Sequence, residues 1–143
     1  MADSDDFDLQ LFLPYLLNQA AEDSSLSFQR VYKDRYGMLR TEWRVLFHLG
    51  IFGQMTARDI SMRAKIHKTK ISRAVQKLAD RRFVKRERSL EDRRQEQLEL
   101  TPTGRAAYLD LRQTAYRYQT MLSADFSQVE LALLQRMLLR LAN

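Results

Sequence analysis

Cysteine is missing from the chain altogether. Its absence removes disulfides, thiolate nucleophiles and cysteine-type zinc sites together, and it suits a reducing, cytoplasmic setting. Glycine and proline are scarce, four and two in 143 residues. That scarcity argues against an all-β chain full of tight turns and for a helical protein with few breaks. Glycine-rich phosphate loops are absent, and no Ser-His-Asp or Cys-His arrangement can be drawn. The two histidines, His48 and His67, are too isolated for a metal site, so packing or capping is their expected role. No apolar run approaches the ~20 residues that a membrane span needs, and the opening MADSDD has neither the basic nor the apolar region of a signal peptide. The expectation is a cytoplasmic chain that is not an enzyme, with no catalytic residues, no cofactor, no metal and no membrane partner.

What is present begins with charge. The net charge is +6, but its distribution matters more. Residues 58–105 hold fifteen Lys/Arg against seven Asp/Glu, a local net of +8, while the remainder is slightly acidic. A basic block within a near-neutral protein is the footprint of a phosphate-backbone binder, or simply a solvated basic surface. The acidic tip (Asp3, Asp5, Asp6, Asp8) resembles a carboxylate site only in composition and is expected to fray. Apolar residues at 45% and charged residues at 29% are ordinary for one globular domain able to bury a core.

The apolar pattern divides the chain. Leu9 to Tyr36 reads as a helix, continuous or interrupted, with Pro14 in a first turn and Gly37 as the C-terminal cap. Its apolar residues, from Phe12, Tyr15 and Leu16 to Leu26, Phe28, Val31 and Tyr32, outnumber what one local core needs, so part of the face is expected to meet a partner chain. Thr41 reads as the N-cap of a helix over 42–52, with Trp43, Leu46, Phe47 and Ile51 on one stripe and Gly53 at its end. Thr56 caps a short helix, TARDISMRAK, with Asp59 placed for a capping box and Ile60 and Ala64 facing inward. The basic segment IHKTKISRAVQKLADRR follows. Two short strand-like runs, FVKRERS and QEQLELT, flank a charged LEDRR, the pattern of a hairpin with a long polar tip. Thr101-Pro102 opens a long helix to about Leu122, and Ser127 with Glu130 boxes a last one carrying Leu131, Leu134, Leu138 and Leu141.

Helix, short helix, turn, basic helix and hairpin in that order make a winged helix-turn-helix. On the basic helix Ile71, Ala74, Val75 and Leu78 fall on one face, and Thr69, Arg73 and Gln76 centre the opposite one. Lys68, Lys70, Ser72 and Lys77 flank that face. Arginine suits guanine, glutamine suits adenine, hydroxyls suit either, and lysine suits the backbone of double-stranded DNA. Arg93 and Arg94 at the hairpin tip suit a narrow minor groove, while Asp92 is better placed to pair with a nearby arginine than to meet phosphate. The fold class is therefore mostly α, an α+β winged-helix lobe over 41–101.

These pieces resemble the MarR family of transcription regulators: TEWRVLFHL, TARDISMRA, KTKISRAVQKL, the Asp92-Arg93-Arg94 wing signature and the closing LELTPTG. The resemblance implies one domain over 1–143 in which segments 9–37 and 104–143 interlock two copies into a homodimer. It implies a near-palindromic operator and repression relieved by a small-molecule effector, often an aromatic acid or phenol. The ligand site it implies would draw on Tyr36, Trp43, Arg44, Phe47, Tyr108 and Arg112, with Arg44 or Arg112 holding a carboxylate; the alternative is that these aromatics simply pack the core. A winged-helix binder or architectural protein with no effector is the second reading. Thiol sensing is excluded by the missing cysteine, and gap-filling is the expected role of Met38, Met55 and Met62. One departure stands out. Arg82 occupies the place where the family has glycine before an apolar pair, here Phe83-Val84, so either Arg82 takes an unusual backbone conformation or the turn differs.

Overall fold

The computed structural model describes residues 6–88, 91 and 95–143. A 3-10 turn at Leu9–Leu11 leads into α1 (Leu13–Tyr36), followed by α2 (Arg40–Phe52), α3 (Ala57–Ala64), α4 (Lys68–Asp80), β1 (Val84–Arg88), β2 (Glu96–Leu100), α5 (Pro102–Leu122) and α6 (Gln128–Ala142). The expected elements are all present and in the expected order. Pro14 lies in the first turn of α1, where its missing N–H costs nothing, and Gly37 closes the helix at φ +63°.

The start of α2 differs from the sequence reading. The helix begins at Arg40 with Leu39 as its cap residue, not with Thr41. Leucine has no side-chain acceptor, so the cap works from the other direction: the Leu39 N–H donates to Glu42 Oε2 at 2.9 Å. That carboxylate is 3% exposed, and this bond gives the buried charge its partner. The apolar stripe of α2 is also rotated from the expected one. Val45, Leu46 and Leu49 are buried, Trp43 and Phe47 are half-buried, and Ile51 is exposed. Trp43 and Phe47 join a ring chain through Phe28 and Tyr108, with centroids 5.1–5.4 Å apart in edge-on contacts.

The core gathers Ile60 of α3, Ile71, Ala74, Val75 and Leu78 of α4, Val84 and Leu98 of the strands and Ala107, Tyr108 and Leu111 of α5 against α2. The strands are antiparallel, pairing Val84 with Leu100 and Arg86 with Leu98. Met55 adds a bridge on the far side of Leu98, its N–H donating to Leu98 O at 3.0 Å and its carbonyl accepting from Leu98 N at 2.8 Å. The wing is thereby tied to the α2–α3 connection.

The two ends of the chain look different. Along α6 no residue is buried, and Leu133, Leu134, Met137, Leu138, Leu139 and Leu141 are all exposed. Phe12, Leu13, Tyr15 and Leu16 in the first part of the chain are exposed as well. Side chains of that kind left open on two helices are far more than the scattered apolar residues of an ordinary surface.

Candidate nucleic-acid interface

The basic helix presents the face that its sequence implies. On α4 Ile71, Ala74, Val75 and Leu78 are buried, while Lys68, Thr69, Lys70, Ser72, Arg73, Gln76 and Lys77 are exposed. His67 caps the helix: its Nδ1 accepts from the Thr69 N–H at 3.2 Å, satisfying one of the open donors of the first turn. Its role is thus capping, and His48 donates to the Arg44 carbonyl at 2.6 Å within α2. Thr56 caps α3 by accepting from Asp59 N at 3.1 Å. The turn between α3 and α4 closes on Lys65 at φ +55°, a second left-handed residue that sequence reading did not anticipate. Ser61 Oγ secures that turn by donating to the Ile66 carbonyl at 2.6 Å.

The electrostatics of the face are lopsided. Lys68, Lys70, Arg73 and Lys77 make no ion pair among the described residues. Cations on the wing strands do. Lys85 holds Glu87 at 2.6 Å, which raises its pKa, and Arg86 holds Glu96 at 2.7 Å. Gln76, one of the three residues centred on the face, is also engaged: it donates to Asp80 at 2.7 Å and accepts from Arg86 at 2.6 Å. A cleft of about 780 Å³ opens between α3, α4 and the wing, and Arg58, Lys68, Ser72, Arg86 and Arg88 line it. Arg58, Arg86 and Arg88 were not singled out from the sequence. Their only signal there was membership of the basic block. Asp92, Arg93 and Arg94 lie outside the described residues.

The joint between α4 and the wing resolves the question posed by Arg82. Arg82 takes the left-handed conformation at φ +64° and so does what glycine would do. Three bonds hold it there. Its N–H reaches Ala79 O at 3.0 Å, the next N–H (Phe83) reaches Leu78 O at 2.9 Å, and Thr101 Oγ1 donates to the Arg82 carbonyl at 2.6 Å. Thr101 is also the N-cap of α5, accepting from Gly104 N at 3.0 Å. The joint, the wing and α5 therefore share one threonine. Gly104 lets the Phe83 backbone pass: a Cβ there would lie 2.0 Å from Phe83 O.

The expected ligand residues fall into separate groups. Phe47, Tyr108 and Arg112 come together in a cleft of about 650 Å³ between α2 and α5, with Ile51, Arg105 and Tyr116. Trp43 lies in the ring chain, stacked edge-on between Phe28 and Phe47. Tyr36 packs on Phe83 and donates to Asp110 Oδ2 at 2.5 Å. Burial and that carboxylate push Tyr36 up to about 12, and the same bond, with Arg35 at 3.2 Å, holds Asp110 below the usual carboxylate range. Arg44 does not line the cleft. In its place Arg105 and Arg112 stand on one face of α5, and Tyr116 raises the pKa of Arg112 further. Among the described residues no helix is long and apolar enough to cross a membrane, and no group of three or more His, Cys, Asp or Glu could hold a metal ion.

Comparison with known proteins agrees with this fold. Residues 36–95 match the model of the MarR family. An HTH-type transcriptional regulator of Bacillus subtilis, YwoH, is 24% identical over 114 residues, covering 78% of this chain and 82% of that one. The structure of Bordetella bronchiseptica BpsR, studied for regulation of its DNA binding by 6-hydroxynicotinic acid, superposes with a TM-score of 0.88 at 19% identity, covering 97% of this chain and 99% of that one. A variant of MarR from E. coli, complexed with operator DNA, superposes with a TM-score of 0.84 at 18% identity over 98% of this chain and 100% of that one.

Proposed function

We propose that the chain is a regulator of the MarR type, whose family model matches residues 36–95: a homodimeric transcription regulator that binds double-stranded DNA and is released from it by a small aromatic effector. One observation carries the DNA-binding reading. The exposed face of α4 bears Lys68, Thr69, Lys70, Ser72, Arg73 and Lys77, and among the described residues no carboxylate holds any of its cations. A surface that leaves four cations without an ion pair among the described residues, beside a cation-lined cleft, suits a polyanion that is not part of the chain. The helix would enter the major groove with its N-terminal residues deepest, Arg73 on a base edge and Lys68, Lys70 and Lys77 on phosphates. Arg93 and Arg94 of the wing, shaped by Asp92, would reach the minor groove.

Dimerisation is supported by the apolar faces of the first 37 residues and of α6. Two lobes would then meet successive major grooves, about 34 Å apart, on a near-palindromic operator. Segments 9–37 and 104–143 are the dimerisation arms of this arrangement and 41–101 the DNA-binding lobe. The cleft between α2 and α5 supports the effector part. Phe47, Tyr108 and Tyr116 offer ring faces, and Arg105 and Arg112 offer a fork for a carboxylate. Binding there would bias α5, whose N-terminus is bonded to the wing joint, and so would act as a repression switch. A catalytic role has no support from these residues.

The decisive experiment is enrichment of duplexes from a random-sequence pool by the purified protein. A discrete, near-palindromic sequence should emerge, and its affinity should fall linearly in log–log form with salt. Recovery of no preferred sequence would sink the reading. For the effector, thermal unfolding with a panel of aromatic carboxylates should show at least one concentration-dependent rise in Tm. Arg112→Ala should abolish it. A flat response across the panel would favour the second reading, an effector-independent binder.

A further inference from the structure

Gln76 sits at the centre of the exposed α4 face, yet both ends of its amide are used inside the chain. Its Nε2 donates to Asp80 Oδ1 at 2.7 Å and its Oε1 accepts from Arg86 Nη1 at 2.6 Å. Arg86 stands on β1, and its Nε and Nη2 both donate to Glu96 Oε2 on β2, at 2.8 and 2.7 Å. Arginine can only donate and aspartate can only accept, so the neighbours fix which way the amide points. The result is a continuous relay, Asp80–Gln76–Arg86–Glu96, that joins α4 to both strands of the wing. The Glu96 side chain is 29% exposed and that of Arg86 is 36% exposed, which makes this pair the most covered of the ion pairs among the described residues.

We propose that Arg86 and Gln76 are positioning residues that lock α4 to the wing, and that Gln76 does not read a base. The inference rests on the DNA-binding reading only for its consequence, not for the relay itself. Reading adenine takes a glutamine amide whose donor and acceptor are both free at once. Here one N–H and one lone pair are already used, so the direction of the amide is set by Asp80 and Arg86 rather than by a base, and charge-assisted bonds are the strong ones. Arg86, for its part, is paired with Glu96, which Arg88 also approaches at 3.8 Å, whereas Arg73 and Lys77 have no ion pair among the described residues. The planar guanidinium is what makes the relay possible, because it holds two strands and one helix from fixed directions. A lysine, with one point charge, could not. Fixing the angle between helix and wing means that the two elements meet their grooves as one body, so the ordering cost of docking is met before DNA arrives.

The first arm of the test needs no DNA. In 15N–1H spectra of the full chain, the Gln76 side-chain amide is assigned by its disappearance in Gln76→Ala. Arg86→Ala and Arg86→Lys should both shift that pair of signals while the backbone amides of Ile71, Val75 and Leu78 stay in place. Signals that do not move in either variant would overturn the relay. The second arm uses the duplex enriched from a random pool and its single-base-pair variants. Gln76→Ala and Arg86→Ala should each weaken every duplex by the same factor, roughly fivefold, and the double variant should be no weaker than either alone, because both cut one link. Loss of discrimination at one base pair in Gln76→Ala would make Gln76 a reader. A salt slope reduced by about one in Arg86→Ala would make Arg86 a phosphate contact. Either result overturns the proposal. If the pool yields no preferred duplex, the DNA-binding reading fails, and the amide spectra still decide the relay.

Discussion

Arg82 and Gly104 both belong to the α4–wing joint, and each holds a conformation or a space that its residue type does not advertise. A left-handed φ costs an L-residue with a Cβ about 1–2 kcal/mol, so Arg82→Gly should stabilise the folded chain, by about 1 kcal/mol once glycine's looser unfolded state is counted. Urea unfolding should show a higher midpoint with an unchanged slope. A lower midpoint would mean that the arginine side chain itself holds the joint. Gly104 runs the other way. Within a helix, glycine to alanine ordinarily gains about 1 kcal/mol, but a Cβ here lies 2.0 Å from the Phe83 carbonyl. Gly104→Ala should therefore destabilise by roughly 1–3 kcal/mol, read in the same titration. The unusual backbone at Arg82 was legible as one of two outcomes because a resemblance marked the position. The need for Gly104 was not legible, since in sequence a helical glycine reads only as a cost, and the backbone it admits, that of Phe83, belongs to the far side of the wing. On the DNA side, Arg73→Ala should cost about 1–3 kcal/mol on the best duplex and relax preference at one base pair, whereas Lys77→Ala should weaken all duplexes alike. Equal losses on every sequence for both variants would refute the base-reading assignment.

At the scale of elements, what the sequence showed best were the features with local causes. The α4 face followed from 100° periodicity, the α5 start from Thr101-Pro102, and the α6 start from the Ser127–Glu130 box, whose two bonds are 3.1 and 2.9 Å. The α2 start was misplaced because Thr41 is the better local cap, and the buried Glu42 that overrides it could be recognised only once its partner Leu39 was in place. The Gln76–Arg86 bond was equally hidden, since it crosses from one element to another. A further cross-element link has a pH signature. Tyr36 of α1 donates to Asp110 of α5, and Arg35 adds Asp110 and Thr114 at 3.0–3.3 Å. Tyr36 is raised from 10.0 to about 12, so the folded chain holds that proton more tightly than the unfolded one. Its contribution is complete below pH 10 and is lost as pH rises towards 12. Asp110 is shifted below 3.8. Its contribution is complete above that value and is lost as pH falls through the lower folded value. Asp110 is 42% exposed, so the acid effect should be the smaller. Tyr36→Phe should make the alkaline fall in stability between pH 10 and 12 shallower when unfolding is measured across that range, leaving the part owed to Tyr32, which burial also raises above 10.0. An unaltered alkaline slope would show that Tyr36 is not the group responsible.

For the molecule as a whole, the division of labour between lobe and ends leads to one sharp expectation. The core is built by α1 to α5 with the two strands, and α6 adds no buried residue to it. Leu134 and Leu138, one helical turn apart on the exposed side of α6, can therefore be charged without emptying that core. Leu134→Glu with Leu138→Glu should place like charges in a face that two copies would have to bury, and sedimentation equilibrium should report a monomer whose far-UV spectrum matches that of the parent chain. A monomer keeps one intact reading head. Its affinity for a single half-site duplex should match that of the parent, because Arg73, Lys77 and the wing are untouched. On the full palindromic duplex it should lose about 100-fold or more, since linking two heads makes the second contact intramolecular and is worth 10²–10⁴ without any new contact. The two measurements separate the causes. If half-site binding falls as well, the substitutions have disturbed the lobe. If the chain stays dimeric, α6 is not the interface. If it is monomeric and binds the full palindrome as tightly as before, the lobes do not act as a pair.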